Sequence, residues 1–150
     1  MSYRINYIAL KNFKFFYGNE ENEETNKLTL DRNNLLLYGE NGSGKSSIYW
    51  ALYTMFQSSI KSEDNEVMKY FNNSPENLRN RFADSADSSG ITLCLKDSSG
   101  REQIRCISDT VVNTIGDSIT KLTLLSSDFI NSKYLSKIYD FRNSEALDLF

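Results

Sequence analysis

Short runs of alternating apolar and polar residues recur along the 150-residue chain and predict β-strands. The first run covers residues 3–10, and a shorter one follows at 28–30. Two more runs, at 91–96 and 103–108, are separated by a polar turn that ends in glycine, at 97–100. This spacing is typical of an antiparallel hairpin.

Apolar residues at helical spacing predict one long helix over residues 44–60. Three aromatic side chains extend its apolar surface over much of the circumference, so we expect this helix to be largely buried. The apolar positions are Ile48, Ala51, Leu52, Met55 and Phe56, together with Tyr49, Trp50 and Tyr53.

Two further apolar runs extend the predicted sheet. Residues 35–38 read Leu-Leu-Leu-Tyr and suit a strand covered on both faces, at the centre of a mainly parallel sheet. Residues 122–125 predict another strand, after which Ser127 or Asp128 is expected to cap a helix. A last helical pattern begins at residue 144 and stops with the chain, which favours a fragment of a longer protein.

Residues 61–88 predict a small helical insertion. Ser74 is a suitable cap and Pro75 fits a first helical turn, with Leu78 and Phe82 on one face. The whole pattern predicts an α/β lobe with a mixed sheet, antiparallel N-terminal strands and a hairpin, and helices packed around the long helix. We expect residues 1–150 to form this single N-terminal lobe.

The charge balance limits the partners of this chain. A net charge of −3 predicts no overall basic surface for nucleic acid, and the acidic run at 18–24 is interpreted as a solvated loop. Arg79 and Arg81 are candidates for a local contact with phosphate or nucleic acid, although a solvated face is the simpler interpretation. The chain has no histidine, which nearly excludes zinc sites and histidine-dependent nucleophilic catalysis within it.

Cysteine usage and the N-terminus indicate the expected compartment. Cys94 and Cys106 lie in predicted strands and are interpreted as buried, reduced thiols. The N-terminus has no apolar signal stretch, and no window approaches the length of a membrane span. We therefore expect a cytoplasmic protein without a membrane partner.

The most specific signal is the spacing Gly39-x-x-x-x-Gly44-Lys45-Ser46, a glycine-rich loop that opens the long helix. Glycine allows positive φ and a close approach to a polyphosphate, while the N–H groups at the helix start favour its negative charge. Lys45 supplies an ammonium group for the β- and γ-phosphates, and Ser46 supplies a hydroxyl oxygen for Mg²⁺. The alternative is a plain turn between a strand and a helix.

A working triphosphatase also needs an acidic residue at the end of an apolar strand, which holds the water shell of Mg²⁺. Four apolar residues followed by Asp-Glu occur nowhere in the chain. Asp109 and Asp128 follow predicted strands but are displaced from the expected position, and capping or turn roles are the simpler interpretation. The sequence therefore identifies no catalytic residue.

The form of the loop, after an opening that ends in Asn12-Phe13, resembles the N-terminal half of ABC-type ATPase heads of the SMC, RecF and RecN group. The resemblance implies that Lys45 and the loop backbone hold the phosphates of ATP, that Ser46 holds Mg²⁺ and that Asn41 lies near the γ-phosphate. The nucleotide-binding residues that it implies are Gly39, Asn41, Gly42, Ser43, Gly44, Lys45, Ser46 and Ser47.

Such heads also use a glutamine after a later strand as a contact to Mg²⁺ and water. The corresponding place, residues 124–129, has no glutamine, and Asp128 or Ser127 is the candidate substitute. The signature motif of such heads lies in a C-terminal half, so the resemblance implies the phosphate-holding half of an ATPase that acts on DNA in repair, maintenance or defence. The implied partners are the other half of the head, a second head across ATP, and DNA.

This chain alone is not expected to hydrolyse ATP. Two alternatives stay open: the ATP-binding subunit of an ABC transporter, and a scaffold that uses nucleotide for assembly without hydrolysis. A GTPase is the least favoured interpretation, because the chain has no Asn-Lys-x-Asp motif for guanine.

Overall fold

A computed structural model describes residues 3–18, 26–72, 75 and 77–130. Four strands form one sheet: β1 (Arg4–Lys11), β2 (Lys27–Thr29), β3 (Gly90–Lys96) and β4 (Glu102–Ser108). Their order across the sheet is β2-β1-β3-β4. The N-terminal strands and the hairpin are therefore confirmed. The expected mixed sheet is not seen in the described ranges, where all three strand pairs are antiparallel.

Within the described residues, three helices accompany the sheet: α1 (Lys45–Gln57), α2 (Asp64–Met68) and α3 (Ser118–Leu125). A 3₁₀ turn at Ser58–Ile60 extends α1, so the long helix predicted at 44–60 is confirmed. Its burial is less complete than predicted, because the Trp50 side chain is exposed on the outer side of the helix.

The core lies between one face of the sheet and α1. Strand alternation places most of the buried sheet residues on this face, and burial of each large apolar side chain stabilises the fold by about 1.5–3 kcal/mol. The sheet contributes Ile8, Leu10, Ile91, Leu93, Leu95 and Ile107, and the other buried members are Phe13, Ala51, Met55, Phe56, Val67 and Phe71.

The strand predicted at 35–38 is wrong for this structure. These residues have no regular secondary structure, and the side chains of Leu36 and Tyr38 are 93% and 100% exposed. A strand is stable when its backbone N–H and C=O groups pair with a neighbour, and none of the described strands pairs with this segment.

The strand predicted at 122–125 is also wrong, because these residues belong to α3. The Asp117 carboxylate caps this helix by accepting the N–H of Thr120 at 2.8 Å. The helix expected to start at Ser127 or Asp128 is absent from residues 127–130, and its remainder, like the pattern at 144–150, lies outside the described residues.

The insertion contains one short helix, α2, within its described residues. Residues 77–82 are not helical, although Leu78 and Phe82 were expected to share a helical face. The backbone here pairs with the turn after β1 instead: the N–H of Lys14 donates to the carbonyl oxygen of Leu78, and the N–H of Asn80 donates to that of Asn12. The predicted cap, Ser74, lies outside the described residues.

Both cysteines are free thiols, as predicted. Cys94 is buried, whereas Cys106 is only half-buried on β4. Burial is the main reason that the pKa of the Cys94 thiol is raised above its ordinary value.

Candidate nucleotide-binding loop

The glycine-rich loop at residues 39–44 leads directly into α1. Gly42 and Gly44 have φ values of 86° and 89°, in the left-handed region that glycine adopts without strain. The N–H of Ser43 donates to the carbonyl oxygen of Glu40 at 3.3 Å and closes a tight turn. Of the three loop glycines, Gly42 and Gly44 therefore occupy positions where the backbone requires glycine, whereas Gly39 does not have a positive φ.

Gly44 is also required by packing. A Cβ at this position would lie 2.7 Å from Cδ1 of Phe15 and 3.3 Å from Cζ of Phe16. Both rings belong to a turn at residues 12–16, in which the backbones of Phe13 and Phe16 exchange hydrogen bonds at 2.9 and 2.8 Å. The aromatic turn (residues 12–16) therefore packs against the loop at the point where α1 begins.

The Lys45 ammonium group lies over the loop. Its Nζ donates to the carbonyl oxygens of Gly39 and Glu40, both at 2.6 Å, and to Oγ of Ser43 at 3.0 Å. All three acceptors are neutral oxygens, and phosphate oxygens are stronger acceptors for an ammonium group. The side chain is thus held at the loop that would carry the phosphates.

The start of α1 suits an anion. The helix has no side-chain cap and no acidic residue in its first turn. Its first N–H groups have no intrahelical carbonyl partner, and the helix dipole adds positive potential at this end. Asn41 and Ser46 are exposed beside these groups, so the structure brings residues 39–46 together as one surface loop.

Ser47 differs from its neighbour Ser46. Its side chain is buried, and its Oγ accepts the N–H of Phe15 at 3.3 Å. The Ser47 hydroxyl therefore joins α1 to the aromatic turn rather than facing the loop surface. This turn was not predicted as part of the site, although Asn12-Phe13 was the available signal.

Asn12 holds the aromatic turn in place. It is buried with a φ of 45°, which asparagine tolerates better than most residues. Its Nδ2 donates to the carbonyl oxygen of Ser88 at 2.9 Å, and its Oδ1 accepts the N–H of Gly18 at 3.1 Å. These bonds connect the aromatic turn to the β1–β2 connection and to the segment before β3. They therefore fix the position of the turn that packs against the loop.

Asp109 belongs to a separate network. Its Oδ2 accepts the N–H of Ser89 at 3.1 Å and lies 3.7 Å from Nη1 of Arg79. The Arg79 side chain is only 6% exposed, so the expectation of a solvated arginine was wrong. Its guanidinium also donates to the backbone carbonyl oxygens of Phe71, Asp84 and Asp87. Asp109 has a structural role here.

Asp128 is exposed, next to Phe129. The Phe129 ring packs edge-on against Tyr49 and Tyr53 of α1, with centroid distances of 5.7 and 5.3 Å. The segment after α3 therefore runs beside the helix that carries Ser46. A Mg²⁺ role for Asp128 stays a prediction, and no group of three or more acidic or cysteine side chains suited to a metal occurs within the described ranges.

Comparison with protein families gives one match. The family model described as "AAA domain" covers residues 7–147, which is nearly the whole chain and includes the loop and α1. The chain belongs to the AAA-domain family. Searches of curated proteins and of solved structures gave no match.

Membership of the AAA-domain family agrees with the geometry of the loop. Proteins of this family are P-loop ATPases, and the family indicates nucleotide binding with ATP and Mg²⁺. Among the described helices of this AAA-domain protein, none is long and apolar enough to cross a membrane.

Proposed function

We propose that this AAA-domain chain binds MgATP through residues 39–46 as the phosphate-holding half of an ABC- or SMC-like ATPase head. The observation that carries the proposal is the position of Lys45, whose Nζ lies over the loop at the uncapped start of α1. Ser46, exposed at the first turn, is the proposed Mg²⁺ ligand, and Asp128 is a second candidate. The proposed compartment is the cytoplasm.

The other half of the head is proposed to add a strand beside residues 35–38. Residues 35–38 present a run of exposed apolar side chains and an unpaired backbone directly before the loop. Exposed runs of this kind are sites of strand pairing or burial in a partner. A strand from the other half, paired here, would bury Leu36 and Tyr38 and hold the loop rigidly.

The complete head is proposed to act on DNA as a dimer, with ATP bound between the two heads. The form of the loop and of the Asn12-Phe13 opening favours this over a transporter subunit. Asp109, which follows edge strand β4, is paired with Arg79 and is therefore not free to act at a nucleotide. This supports the proposal that one half of the head alone does not hydrolyse ATP. The chain alone is therefore expected to bind nucleotide weakly and without useful hydrolysis.

Calorimetric titration with MgATP tests the proposal. Lys45→Ala should weaken binding by roughly tenfold or more, because a charge-assisted contact to phosphate is lost. Lys121→Ala is the matched control: it removes an exposed lysine on α3 and should leave affinity unchanged. Equal affinity of wild type and Lys45→Ala would refute the assignment of the loop.

A further inference from the structure

The face of the sheet opposite α1 contains a cavity of about 550 Å³. Strand alternation places small side chains in its floor, namely Ala9, Thr92 and Cys106, which are aligned across β1, β3 and β4. Cavities of about 300–1,000 Å³ are typical of sites for small molecules. The nucleotide-binding loop borders α1, on the other face, so this cavity is a separate feature.

Gly90 keeps one end of the floor open. It stands between Lys11 on β1 and Ser108 on β4 in the sheet register. A Cβ at Gly90 would lie 2.8 Å from the Cβ of Ser108 and 2.9 Å from the carbonyl oxygen of Ile107. The row therefore has a position without a side chain beside Lys11.

Two lysines line the cavity, Lys11 and Lys27. Lys27 pairs with Ala9 in the register, so Lys11 is its diagonal neighbour on β1. The Lys27 Nζ lies 4.2 Å from the centroid of the Tyr7 ring, a cation–π contact that restricts its side chain. Both lysines therefore line the cavity, with the Lys27 ammonium group held at Tyr7.

Among the described lining residues, the acidic side chain is Asp109, and its charge is paired. Asp109 lies at the edge of the cavity, but it is paired with Arg79 and accepts the Ser89 N–H. The described lining therefore has excess positive charge, although the chain as a whole has a net charge of −3. The hydroxyl groups of Thr92 and Thr110 add neutral donors and acceptors.

We propose that this cavity is a second anion site, in which Lys11 and Lys27 supply the positive charge for the phosphate group of a nucleotide-sized ligand. The floor of small residues leaves room for the body of the ligand, and Tyr7 provides an aromatic wall. The site does not depend on the proposed function of the loop, because it uses none of residues 39–47.

Adenosine 5′-monophosphate is the probe, because it lacks the β- and γ-phosphates that the loop recognises. Cys106 in the floor reports occupancy: bound ligand should slow its alkylation by N-ethylmaleimide. Cys94 is buried and its raised thiol pKa makes it less reactive, and Cys106→Ser identifies the reacting thiol. Protection of Cys106 in the wild-type chain and equally in Lys45→Ala is the expected result.

Three variants test the composition of the site by calorimetry. The double variant Lys11→Gln/Lys27→Gln should weaken binding about tenfold or more, since two charge-assisted contacts are lost. Ala9→Phe should do the same by filling the floor without a change of charge. Lys96→Gln is the matched control, because Lys96 lies on the same sheet but pairs with Glu102 outside the cavity.

A short single-stranded oligonucleotide distinguishes the source of the phosphate. Binding tighter than that of the mononucleotide, lost in the same variants, assigns the site to a nucleic-acid backbone; weaker binding assigns it to a free nucleotide. No protection of Cys106, or equal loss of affinity in Lys96→Gln, overturns the site. Loss of AMP binding in Lys45→Ala alone would mean that the probe binds at the loop. That result would overturn the cavity site but not the function proposed for the loop.

Discussion

The backbone N–H of Phe15 donates to the hydroxyl oxygen of Ser47 at 3.3 Å, and this bond joins the turn after β1 to the first turn of α1. Ser47 is buried, whereas Ser46, one residue earlier, is exposed. Successive helical residues point about 100° apart, so two adjacent serines have separate tasks. One faces the aromatic turn, and the other faces the loop surface.

Ser47→Ala should lower the free energy of unfolding by about 1 kcal/mol, because the partly buried N–H of Phe15 loses its acceptor. Urea denaturation measures this change. Ser46→Ala should leave the unfolding midpoint unchanged but weaken the binding of MgATP relative to ATP in EDTA. If the two variants had the same effect on both measurements, the division of tasks between the serines would be wrong.

Gly44→Ala should destabilise the chain more than Gly42→Ala. Both glycines have positive φ, which costs an alanine about 1–2 kcal/mol. At Gly44 the added Cβ also collides with the Phe15 ring, whereas at Gly42 it meets nothing within 4 Å. The expected extra loss at Gly44 is about 1–3 kcal/mol, from the strain of overpacking. Thermal or urea unfolding of the two variants compares them directly, and equal losses would contradict the packing role of Phe15.

The Asp117 cap should make stability depend on acid pH. Burial acts to raise the pKa of Asp117, but hydrogen bonds from Arg105 and Thr120 outweigh it and hold the pKa below its ordinary value. Stability from this group is thus complete above the unfolded-state pKa of about 4 and is lost as the pH falls through the lower folded-state value.

Asp117→Asn should therefore reduce the free energy of unfolding at pH 7 by about 1–2 kcal/mol, and the difference from wild type should shrink towards pH 2. Chemical denaturation at several pH values measures both curves. Asp84→Asn is the control, since Asp84 is an exposed carboxylate, and it should follow wild type at every pH. A difference that stays constant down to pH 2 would exclude Asp117 as the source.

Local sequence determined the loop, the long helix and the hairpin. Glycine spacing, helical periodicity and a polar turn are short-range signals, and the physics behind each acts within a few residues. Gly44 illustrates this well: its positive φ follows from the loop motif. Its second constraint, the close approach of Phe15, joins residues 29 positions apart and was visible only in the structure.

Tertiary contacts decided the other elements. Residues 35–38 have the composition of a central strand, yet a strand needs a neighbouring backbone, and none of the described strands supplies one. Arg79 lies in a polar segment typical of a solvated face, but partners at Phe71, Asp84, Asp87 and Asp109 enclose its guanidinium.

The sequence by itself therefore determined that this chain has a glycine-rich loop at the start of a helix. Only the tertiary structure decided what supports that loop and what lies on the far face of the sheet. The physical reason is range: backbone conformation depends on neighbouring residues, whereas burial, ion pairing and cavity shape depend on residues brought together from distant parts of the chain.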